Sequence, residues 1–597
     1  MAEDRASGDK LTGDKLAGDK LTGAFRQIVG LTAASRVLGF LRDIAFAAFL
    51  GAGPASDAFL VALKLPNLFR RLTADGAMTN AFLPAYSALK SQQGKKAALL
   101  LAAEIQVWLL LALCGLVVLA ELFMPLVIDL LAPGFAETPD RRQAAIDLAR
   151  ITIPYLPMIS AVALWAAISN AHDRFFGGAA APVILNIFLI GGALAIPLLG
   201  LNGPGSSLFQ LALPLAIGLI LAGLCQMLLL WQALGQLAAR PKLAGFSVWF
   251  SVSPAGRRMW RSFVPAALGA GTLQINLLVD MVLASLLPTG AISWLYYSDR
   301  LAQLPLGVVG IALGTALLPQ LSALEAAKKP AQIAPLLARG LRLAGFFAFP
   351  SMAALLVLAP QLISGLFGRG AFDDSDVIAA AAALMAYGCG LPAYIFSKIL
   401  QPAFYAADRG REALFIALAA VVLNIIASLI LMQFFGHVGL ALATALAGWL
   451  VMLAQAGWLV RQRRLDASSL PVLLRGVLAA LVLAGGLWLL AGLEAIAGLG
   501  AIAGMLVLVL AGLLGWFVLA RLAGIIPPEL FSLLPRLANR SSEKSGAKKS
   551  AAKKSGTKKS AAKKSGAKKA GPNSGKELDR SGRTADKPAL ESAKKEG

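Results

Sequence analysis

The stretch AFRQIVGLTAASRVLGFLRDIAFAAFL, residues 24–50, is mostly apolar and long enough to cross a bilayer, yet it contains Arg36 and Arg42. A second such stretch, AISWLYYSDRLAQLPLGVVGIALGTALLPQLS, residues 291–322, contains Arg300. An arginine at the centre of a membrane helix costs about 2.5–3.5 kcal/mol on insertion scales, so it persists where it faces a protein-lined or water-filled cavity. A guanidinium stays charged and offers a planar fork of donors, which suits a phosphate or diphosphate. The three arginines therefore predict a central cavity that receives an anionic head group.

The composition is that of a polytopic membrane protein. Of the 597 residues, 58% are hydrophobic, against about 45–50% in an ordinary soluble domain. A transmembrane β-barrel would show alternating segments of about ten residues, which the sequence lacks. About half of the net charge of +23 falls after residue 525, in Lys-rich repeats without the apolar residues needed to fold. We expect residues 525–597 to be a disordered cytoplasmic tail near anionic membrane lipids rather than a nucleic-acid-binding segment.

Residues typical of catalysis or metal binding are sparse. The chain has three cysteines, Cys114, Cys225 and Cys389, and two histidines, His172 and His437, without metal-ligand spacing. The sequence contains no Walker A motif, no GxSxG motif and no coherent catalytic set. We therefore predict a protein that is not an enzyme and has no cofactor, apart from a candidate coupling ion, Na⁺.

Segments of about 20 apolar residues predict an all-α protein with about fourteen transmembrane helices. These spans lie at 24–50, 54–72, 98–128, 145–170, 181–201, 208–236, 260–287, 291–322, 337–366, 377–406, 412–435, 438–460, 471–493 and 498–524. Lysine and arginine concentrate in the loops after even-numbered spans, for example Lys90 and Lys95 after span two, and are nearly absent from most other loops. The positive-inside rule places these basic loops and both termini in the cytoplasm.

Four short motifs recur about 235 residues apart. FLPAYSAL at 82–89 returns as LLPQLSAL at 317–324, and the pairs Leu-Pro, Asp-Arg and Leu-Asn at 156, 173 and 185 return at 391, 408 and 423. Because this offset covers six spans, the two copies have the same orientation, as in transporters that bind substrate between two parallel repeats. The predicted organisation is an N-terminal tail 1–23, a lobe 24–236, a cytoplasmic linker 237–259, a second lobe 260–460, two extra spans within 461–524, and the tail 525–597.

The candidate substrate-binding residues are cations at several depths of this cavity. Arg36 and Asp43 share one helical face, since they are two turns apart, and Arg300 lies at about the depth of Arg42 in the other lobe. An arginine from each lobe could thus meet across the cavity. Span two adds Lys64 in its interior and Arg70 and Arg71 at its cytoplasmic end. Alternatives are structural ion pairs, Arg42 with Asp43 and Asp299 with Arg300, and membrane-interface snorkelling of Arg70 and Arg71.

Carboxylates supply the other candidates. The candidate gate residues are Asp43, Asp57, Asp75 and Asp299. For Asp57 and Asp75 the alternative interpretation is simple solvation or helix capping. Asp280 in span seven, together with Asn424 and Thr444, is a candidate Na⁺ or proton site, because intramembrane carboxylates commonly carry ion coupling. The alternative for Asp280 is pairing with a nearby arginine.

Two segments carry a family resemblance. SRVLGFLRDIAFAAFLGAGPASDAFLVALKLPNLFRRLTADGAMTNAFLPAYSALK at 35–90 and SWLYYSDRLAQLPLGVVGIALGTALLPQLS at 293–322 closely resemble the MurJ (MviN) family of lipid II flippases in the MOP exporter superfamily. The resemblance runs through about residues 24–524. It implies fourteen helices, a bacterial cytoplasmic membrane location, and transfer of undecaprenyl-diphosphate-linked disaccharide-pentapeptide to the outer leaflet for peptidoglycan synthesis.

The resemblance also implies roles for single residues. Arg36, Arg42 and Arg300 match cavity arginines of the family, Arg70 a portal arginine and Asp57 an acid near the outer gate. Asp280, Asn424 and Thr444 match the family's sodium site. The chain departs from the family at three positions: Gln303 and Asp75 replace glutamates found in other members, and Ser428 stands where the sodium site has an acid.

Other functions remain open at the level of sequence. One alternative is another MOP-type exporter, either an oligosaccharide-lipid flippase or a sodium/drug antiporter, although a carrier of cationic drugs would be expected to have cavity acids rather than three arginines. A second class is a membrane scaffold that recruits cell-wall synthesis proteins through its basic tail.

Overall fold

The computed structural model describes residues 27–73, 77–203, 205–241 and 253–528, and the chain up to Ile526 forms one compact unit. All regular secondary structure in these ranges is helical. The predicted tail 1–23 and nearly all of the Lys-rich tail lie outside the described residues. The α-helices are α1 (27–50), α2 (Pro54–Thr73), α3 (Ala77–Leu122), α4 (Met124–Leu131), α5 (Pro139–Thr152), α6 (Tyr155–Asn170), α7 (Phe176–Leu198), α8 (Leu208–Gln236), α9 (Pro254–Ser285), α10 (Ala291–Pro305), α11 (Ile311–Ala326), α12 (Ile333–Val357), α13 (Ala359–Phe367), α14 (Asp374–Ala406), α15 (Gly410–Arg461), α16 (Leu470–Ala491), α17 (Glu494–Ala497) and α18 (Ala501–Leu522).

Ten helical segments of the described chain are long and apolar enough to cross a membrane. One of them, Gly410–Arg461, contains two predicted spans, eleven and twelve. Three other predicted spans are helical but fall outside the ten: those at 24–50 and 54–72 each carry at least three charged residues, and in the third the apolar stretch is Asn276–Ser285. The all-α membrane architecture is confirmed, and the count of fourteen stays a prediction.

Glycines account for the main differences from the predicted helix boundaries. Residues 77–93, predicted as a loop after span two, are helical, and α3 bends only at Gly94, where φ is 83°. Gly436, with φ 55°, makes the turn between spans eleven and twelve inside α15. Glycine adopts positive φ at no steric cost, so the chain can turn sharply while helix continues on both sides. The polar run around Lys90 and Lys95 therefore lies on helix ends rather than in an extended loop.

The backbone repeats as the sequence does. Asp173 after α6 and Asp408 after α14 both have φ 57°, which is uncommon for a residue other than glycine. The next amide in each copy, Arg174 and Arg409, donates to the carbonyl five residues earlier, at 3.1 and 2.8 Å. The same strained turn thus ends the fourth span of each copy. We refer to α1–α8 as the N-terminal lobe and α9–α15 as the C-terminal lobe.

The helices pack mainly within their own lobe. In the N-terminal lobe α2 packs on α5 and α7 on α8; in the C-terminal lobe α14 packs on α12 and α15. Between lobes, α3 contacts α9, and α2 contacts α9 and α10. The last two long helices lie outside this repeat, α16 against α12 and α18 against α13 and α16. α10 continues into α11 through a single π-helical turn, Leu306–Gly310.

Candidate functional site

The centre of the candidate site is one carboxylate shared by both lobes. Asp43 on α1 lies 2.7 Å from Arg42 Nη2 and 3.5 Å from Arg300 Nε of α10. The Tyr296 hydroxyl, also on α10, donates to Asp43 Oδ1 at 2.7 Å. Two guanidinium groups surround one carboxylate, and Asp299, the residue before Arg300, also acts on Arg300 electrostatically. Arg300 is its most open member, with 37% of its side chain exposed against 13% for Arg42 and 4% for Asp43.

Arg42 is held in place from several directions. Its Nε and Nη2 donate to Asp43, at 3.0 and 2.7 Å. Its Nη1 donates to Asn186 Oδ1 of α7 at 3.0 Å, and Nη2 also reaches the Tyr296 hydroxyl at 3.3 Å. The expected meeting of one arginine from each lobe is therefore present in the structure, with Asp43 between them. Asn186 and Tyr296 were not singled out as site residues from the sequence.

The π-helical turn has a cation on each side. Arg36, two helical turns from Asp43, is exposed, and its Nη1 lies 3.8 Å from the position that a Cβ of Gly307 would occupy. Lys398 on α14, also exposed, places its Cβ 3.6 Å from the corresponding position of Gly310. Single π turns occur frequently at functional sites. Lys398 was not a candidate in the sequence analysis, because its packing against the π turn of the same lobe is a tertiary contact that no local pattern in α14 marks.

Span two carries the remaining predicted cations. Lys64 on α2 is half-buried and close enough to Asp280 of α9 to act on it electrostatically. The side chains of Arg70 and Arg71, and the whole of Asp75, lie outside the described residues. Asp299, the fourth candidate gate residue, accepts a hydrogen bond from Gln303 one turn along α10.

The three predicted ion-site residues come together in the C-terminal lobe. With its amide nitrogen toward α9, Asn424 donates to Asp280 Oδ1 at 3.2 Å and to Asn276 Oδ1 at 2.9 Å, and its oxygen accepts from Thr444 Oγ1 at 3.3 Å. Ser428 Oγ is buried without a hydrogen-bond partner among the described residues. A carboxylate with neutral oxygens suits a hard cation. In the orientation above Asn424 presents its nitrogen to Asp280, so its oxygen joins such a site only when the amide turns over. The nearby charges that act on Asp280 are Lys64 and Asp299.

Asp57 joins the two lobes on the side of the molecule that lies opposite the basic loops. Its carboxylate is 1% exposed and accepts from the amide of Gly290 at 2.8 Å and from the amide and hydroxyl of Ser293 at 3.1 and 2.7 Å. An anion is favourable at a helix N-terminus, so Asp57 of the N-terminal lobe caps α10 of the C-terminal lobe. The alternative of a solvated surface acid is wrong for Asp57, and the helix that it caps belongs to the other lobe.

Two loops in equivalent positions of the repeat complete this closure. A Cβ on Gly134, in the loop after span three, would lie 2.0 Å from the carbonyl oxygen of Ser285 at the end of α9. A Cβ on Gly370, in the loop after span nine, would lie 2.2 Å from the carbonyl oxygen of Ala48 near the end of α1. The Ala371 amide donates to the same Ala48 oxygen at 2.9 Å. Each lobe therefore places a glycine directly on the backbone of the other.

Arg141 and Asp376 occupy one position of the repeat, the third residue of α5 and of α14. Arg141 donates to Asp57 at 3.4 Å and, across the lobes, to Thr289 Oγ1 at 3.2 Å. Asp376 accepts from Trp294 Nε1 at 2.8 Å and, across the lobes, from the amide of Ala52 at 3.4 Å. We call the surface formed by Asp57, Gly134, Arg141, Gly370 and Asp376 the sealed face. Neither Arg141 nor Asp376 is among the candidate residues predicted from the sequence.

These features define a class of protein. Two repeated helical lobes, sealed on one face, with an excess of positive charge at the contact between them, are the architecture of a membrane transporter of the parallel-repeat type that handles an anionic cargo.

Similarity to known proteins narrows the class to one family. The family model "Lipid II flippase MurJ" matches residues 46–509. The chain is 35% identical to the "Probable lipid II flippase MurJ" of Rhizobium meliloti (strain 1021) over 78% of this chain and 85% of that protein. It is 33% identical to the "Lipid II flippase MurJ" of Burkholderia cenocepacia, over 70% of this chain and 80% of that protein. The chain belongs to the MurJ family of lipid II flippases.

Solved structures agree with this family assignment. The structure "Lipid II flippase MurJ, inward closed conformation" superimposes with a TM-score of 0.69 at 25% identity, covering 83% of this chain and 98% of that one. An inward-facing multidrug resistance MATE family transporter of the MOP superfamily shares the fold, with a TM-score of 0.57 at 14% identity over 72% of this chain and 94% of its own.

We predict that Asp57→Asn loosens the sealed face. An asparagine would turn an NH₂ group toward the donors that Asp57 now accepts from, and losing charged hydrogen bonds of this kind typically costs about 1.5–3 kcal/mol. Hydrogen–deuterium exchange of the first-turn amides of α10, including Ser293, should speed up by roughly tenfold or more.

The matched control is Asp129→Asn near the same face. Asp129 pairs with Arg142 at 2.6 and 2.8 Å, which holds the pKa of that carboxyl below its usual value, but it is 42% exposed and does not contact α10. Its loss should leave exchange in α10 unchanged. Equal exchange in wild type and Asp57→Asn would show that Asp57 does not hold the two lobes together.

Proposed function

We propose that this chain moves lipid II, the lipid-linked peptidoglycan precursor, from the inner to the outer leaflet of the bacterial cytoplasmic membrane. The observation that carries the proposal is the cluster in which Arg42 and Arg300, from opposite lobes, share the single carboxylate of Asp43. Membership of the MurJ family supports lipid II as the cargo. Transport of this kind makes and breaks no covalent bond, so the protein acts as a carrier rather than an enzyme.

The cluster is suited to a diphosphate in charge and geometry. A diphosphate brings more negative charge and more acceptor oxygens than Asp43, and guanidinium groups bind such oxygens through paired hydrogen bonds. In this proposal the diphosphate takes the place of Asp43 at the open guanidinium of Arg300. The contacts that tie Asp43 to Arg300 and Tyr296 are then replaced by contacts to the cargo. Binding of cargo is thereby coupled to a change in how the two lobes are joined.

Alternating access follows from the sealed face. Because the two lobes meet there through Asp57, Gly134 and Gly370, release of a head group on that side requires these contacts to separate. Arg36 and Lys64 add positive charge on the N-terminal lobe, and in the sequence Arg70 and Arg71 follow them toward the basic loops, where an anionic head group would enter. The same positive charge disfavours a carrier of cationic drugs, although the fold is shared with a MATE transporter.

The function test compares side chains at position 300 in a bacterium depleted of its own flippase. Arg300→Ala should accumulate at normal levels yet leave lipid II in the inner leaflet, measured by the accessibility of labelled lipid II from outside the cell. Arg300→Lys should rescue poorly, since an ammonium lacks the planar fork.

Arg150→Ala is the control for the loss of an arginine. Arg150 is 45% exposed and lies 3.9 Å from Glu121, away from the cluster, and the variant should transport normally. Normal growth and normal lipid II distribution in cells with Arg300→Ala would contradict the proposed function.

We further propose that the basic loops and both termini face the cytoplasm, as the loop charges indicate. In a chain whose cysteines are replaced, single cysteines at positions 203 and 289 should react with an impermeant thiol reagent in intact cells. Cysteines at 92 and 330 should react only after lysis. All four positions are exposed in the structure, so labelling of position 92 from outside would reverse the orientation rather than reflect burial.

The coupling ion is a separate proposal. We propose that Asp280, Asn424 and Thr444 hold Na⁺, with Asn276 and Ser428 beside them. Asp280→Asn should remove any sodium dependence of transport while head-group binding persists, measured in vesicles with sodium replaced by potassium. Transport that is equally fast in both salts, and unaffected by Asp280→Asn, would make Asp280 a structural residue that pairs with charges such as Lys64.

Partners beyond the cargo stay predictions. The Lys-rich tail is proposed to contact anionic membrane lipids, with cell-wall synthesis proteins as the alternative partner. A nucleic-acid partner is not proposed.

A further inference from the structure

Asn186 on α7 connects Arg42 to the backbone of its own lobe. Its side chain is buried, with a relative exposure of 5%. The amide oxygen accepts from Arg42 Nη1 at 3.0 Å, and the amide nitrogen donates to the carbonyl of Ser35 at 3.0 Å. Ser35 and Arg42 are two turns apart on one face of α1, but the Ser35 carbonyl points toward the C-terminus and the Arg42 side chain leans toward the N-terminus, so one amide bonds to both.

A glycine of α1 lies beside the Asn186 amide. Gly39 lies between Ser35 and Arg42 on the same face of α1, and a Cβ at Gly39 would already be in van der Waals contact with Asn186 Nδ2, at 3.5 Å. Glycine within a helix is unfavourable by about 1 kcal/mol relative to alanine. The Asn186 amide lies against α1 at this glycine, where a methyl group would meet it at an ordinary contact distance.

The C-terminal lobe repeats the arrangement with the opposite charge. Asn424 corresponds to Asn186 in the Leu-Asn repeat and is also buried, at 1% exposure. It contacts the first helix of its own lobe, α9, where it meets the carboxylate of Asp280 instead of a guanidinium. An asparagine can serve both purposes because its side chain carries an acceptor oxygen and a donor nitrogen.

Asn186 differs from the other two acceptors that hold Arg42. Asp43 is the group that the cargo would replace, and Tyr296 belongs to α10 of the other lobe, which moves relative to α1 when the sealed face opens. Among the described residues, Asn186 is the acceptor that neither competes with the cargo nor leaves with the opposite lobe.

We infer that Asn186 is a positioning residue that keeps the Arg42 guanidinium aimed between the lobes while a diphosphate exchanges with Asp43. The inference rests on the proposed function, since it gives Asn186 a role in binding the diphosphate of the cargo.

The test is a double-mutant cycle between Asn186 and Arg42. Binding of lipid II to the purified full chain in detergent is measured for wild type, Asn186→Leu, Arg42→Ala and the double variant. Asn186→Leu should weaken binding by roughly tenfold, because the hydrogen bond that it removes involves a charged partner. In the Arg42→Ala background the same change should have less than about a twofold effect, since its target is gone.

Two further variants separate positioning from folding. Gln226→Leu removes another buried amide of the same lobe, which donates to Ala181 O at 2.7 Å and accepts from the Tyr155 hydroxyl at 3.2 Å. It should lower the melting temperature as much as Asn186→Leu does, with unchanged binding. If Asn186→Leu does not fold, Asn186→Ser, which removes the same amide with a smaller side chain, takes its place.

The outcomes distinguish failure of the proposed function from failure of the positioning role of Asn186 alone. If Arg42→Ala binds lipid II as tightly as wild type, the proposed function fails, and the positioning role fails with it. If Arg42→Ala weakens binding but Asn186→Leu does not, the positioning role alone is overturned. The positioning role is also overturned if Asn186→Leu weakens binding equally with and without Arg42, or if Gln226→Leu weakens binding as much as Asn186→Leu does.

Discussion

The interaction on which the structure depends is the sharing of Asp43 between Arg42 and Arg300. In a membrane interior an unpaired charge is costly, and removing one partner of a buried pair typically costs more than the pair itself contributes. Asp43 forms an ion pair with an arginine of each lobe, so it links the lobes as well as neutralising charge, although Arg300 Nε makes no hydrogen bond among the described residues. Positive charge remains at the more exposed Arg300. An anionic cargo neutralises this remaining positive charge.

The repeat explains why related positions carry opposite chemistry. Arg141 and Asp376 are the third residues of equivalent helices, and each reaches across to the other lobe with opposite charge. Asn186 and Asn424 likewise orient a guanidinium in one lobe and a carboxylate in the other. A duplicated fold fixes where a polar side chain lies but not whether its charge is positive or negative.

The sequence predicted features that follow from membrane energetics. Charges deep in apolar spans are rare and must be paired or solvated, so Arg42, Arg300 and Asp280 could be recognised from depth alone. Of the sealed face, the sequence pointed to Asp57 as a candidate gate residue, but the glycine contacts could not be predicted, because Gly134 and Gly370 meet backbone atoms of the opposite lobe and no local pattern encodes that contact. Helix boundaries failed where glycine allowed a bend within a polar run, as at Gly94. Asn186 was visible in the repeat, but its role required knowing which helix face it touches.

The contacts between the lobes at the sealed face and at the Asp43 cluster respond differently to water, and this difference sets the order in which they separate. When the sealed face opens, Asp57 and the first amides of α10 become accessible to solvent, and water can replace the hydrogen bonds that they lose. Arg300 in the Asp43 cluster is already 37% exposed, and its charge is met more strongly by the anionic oxygens of a diphosphate than by neutral water. A diphosphate supplies the missing acceptors, so cargo lowers the cost of separating Asp43 from the other lobe. Occupancy of Arg300 should therefore govern when the lobes move, while the sealed face decides which side stays closed until then.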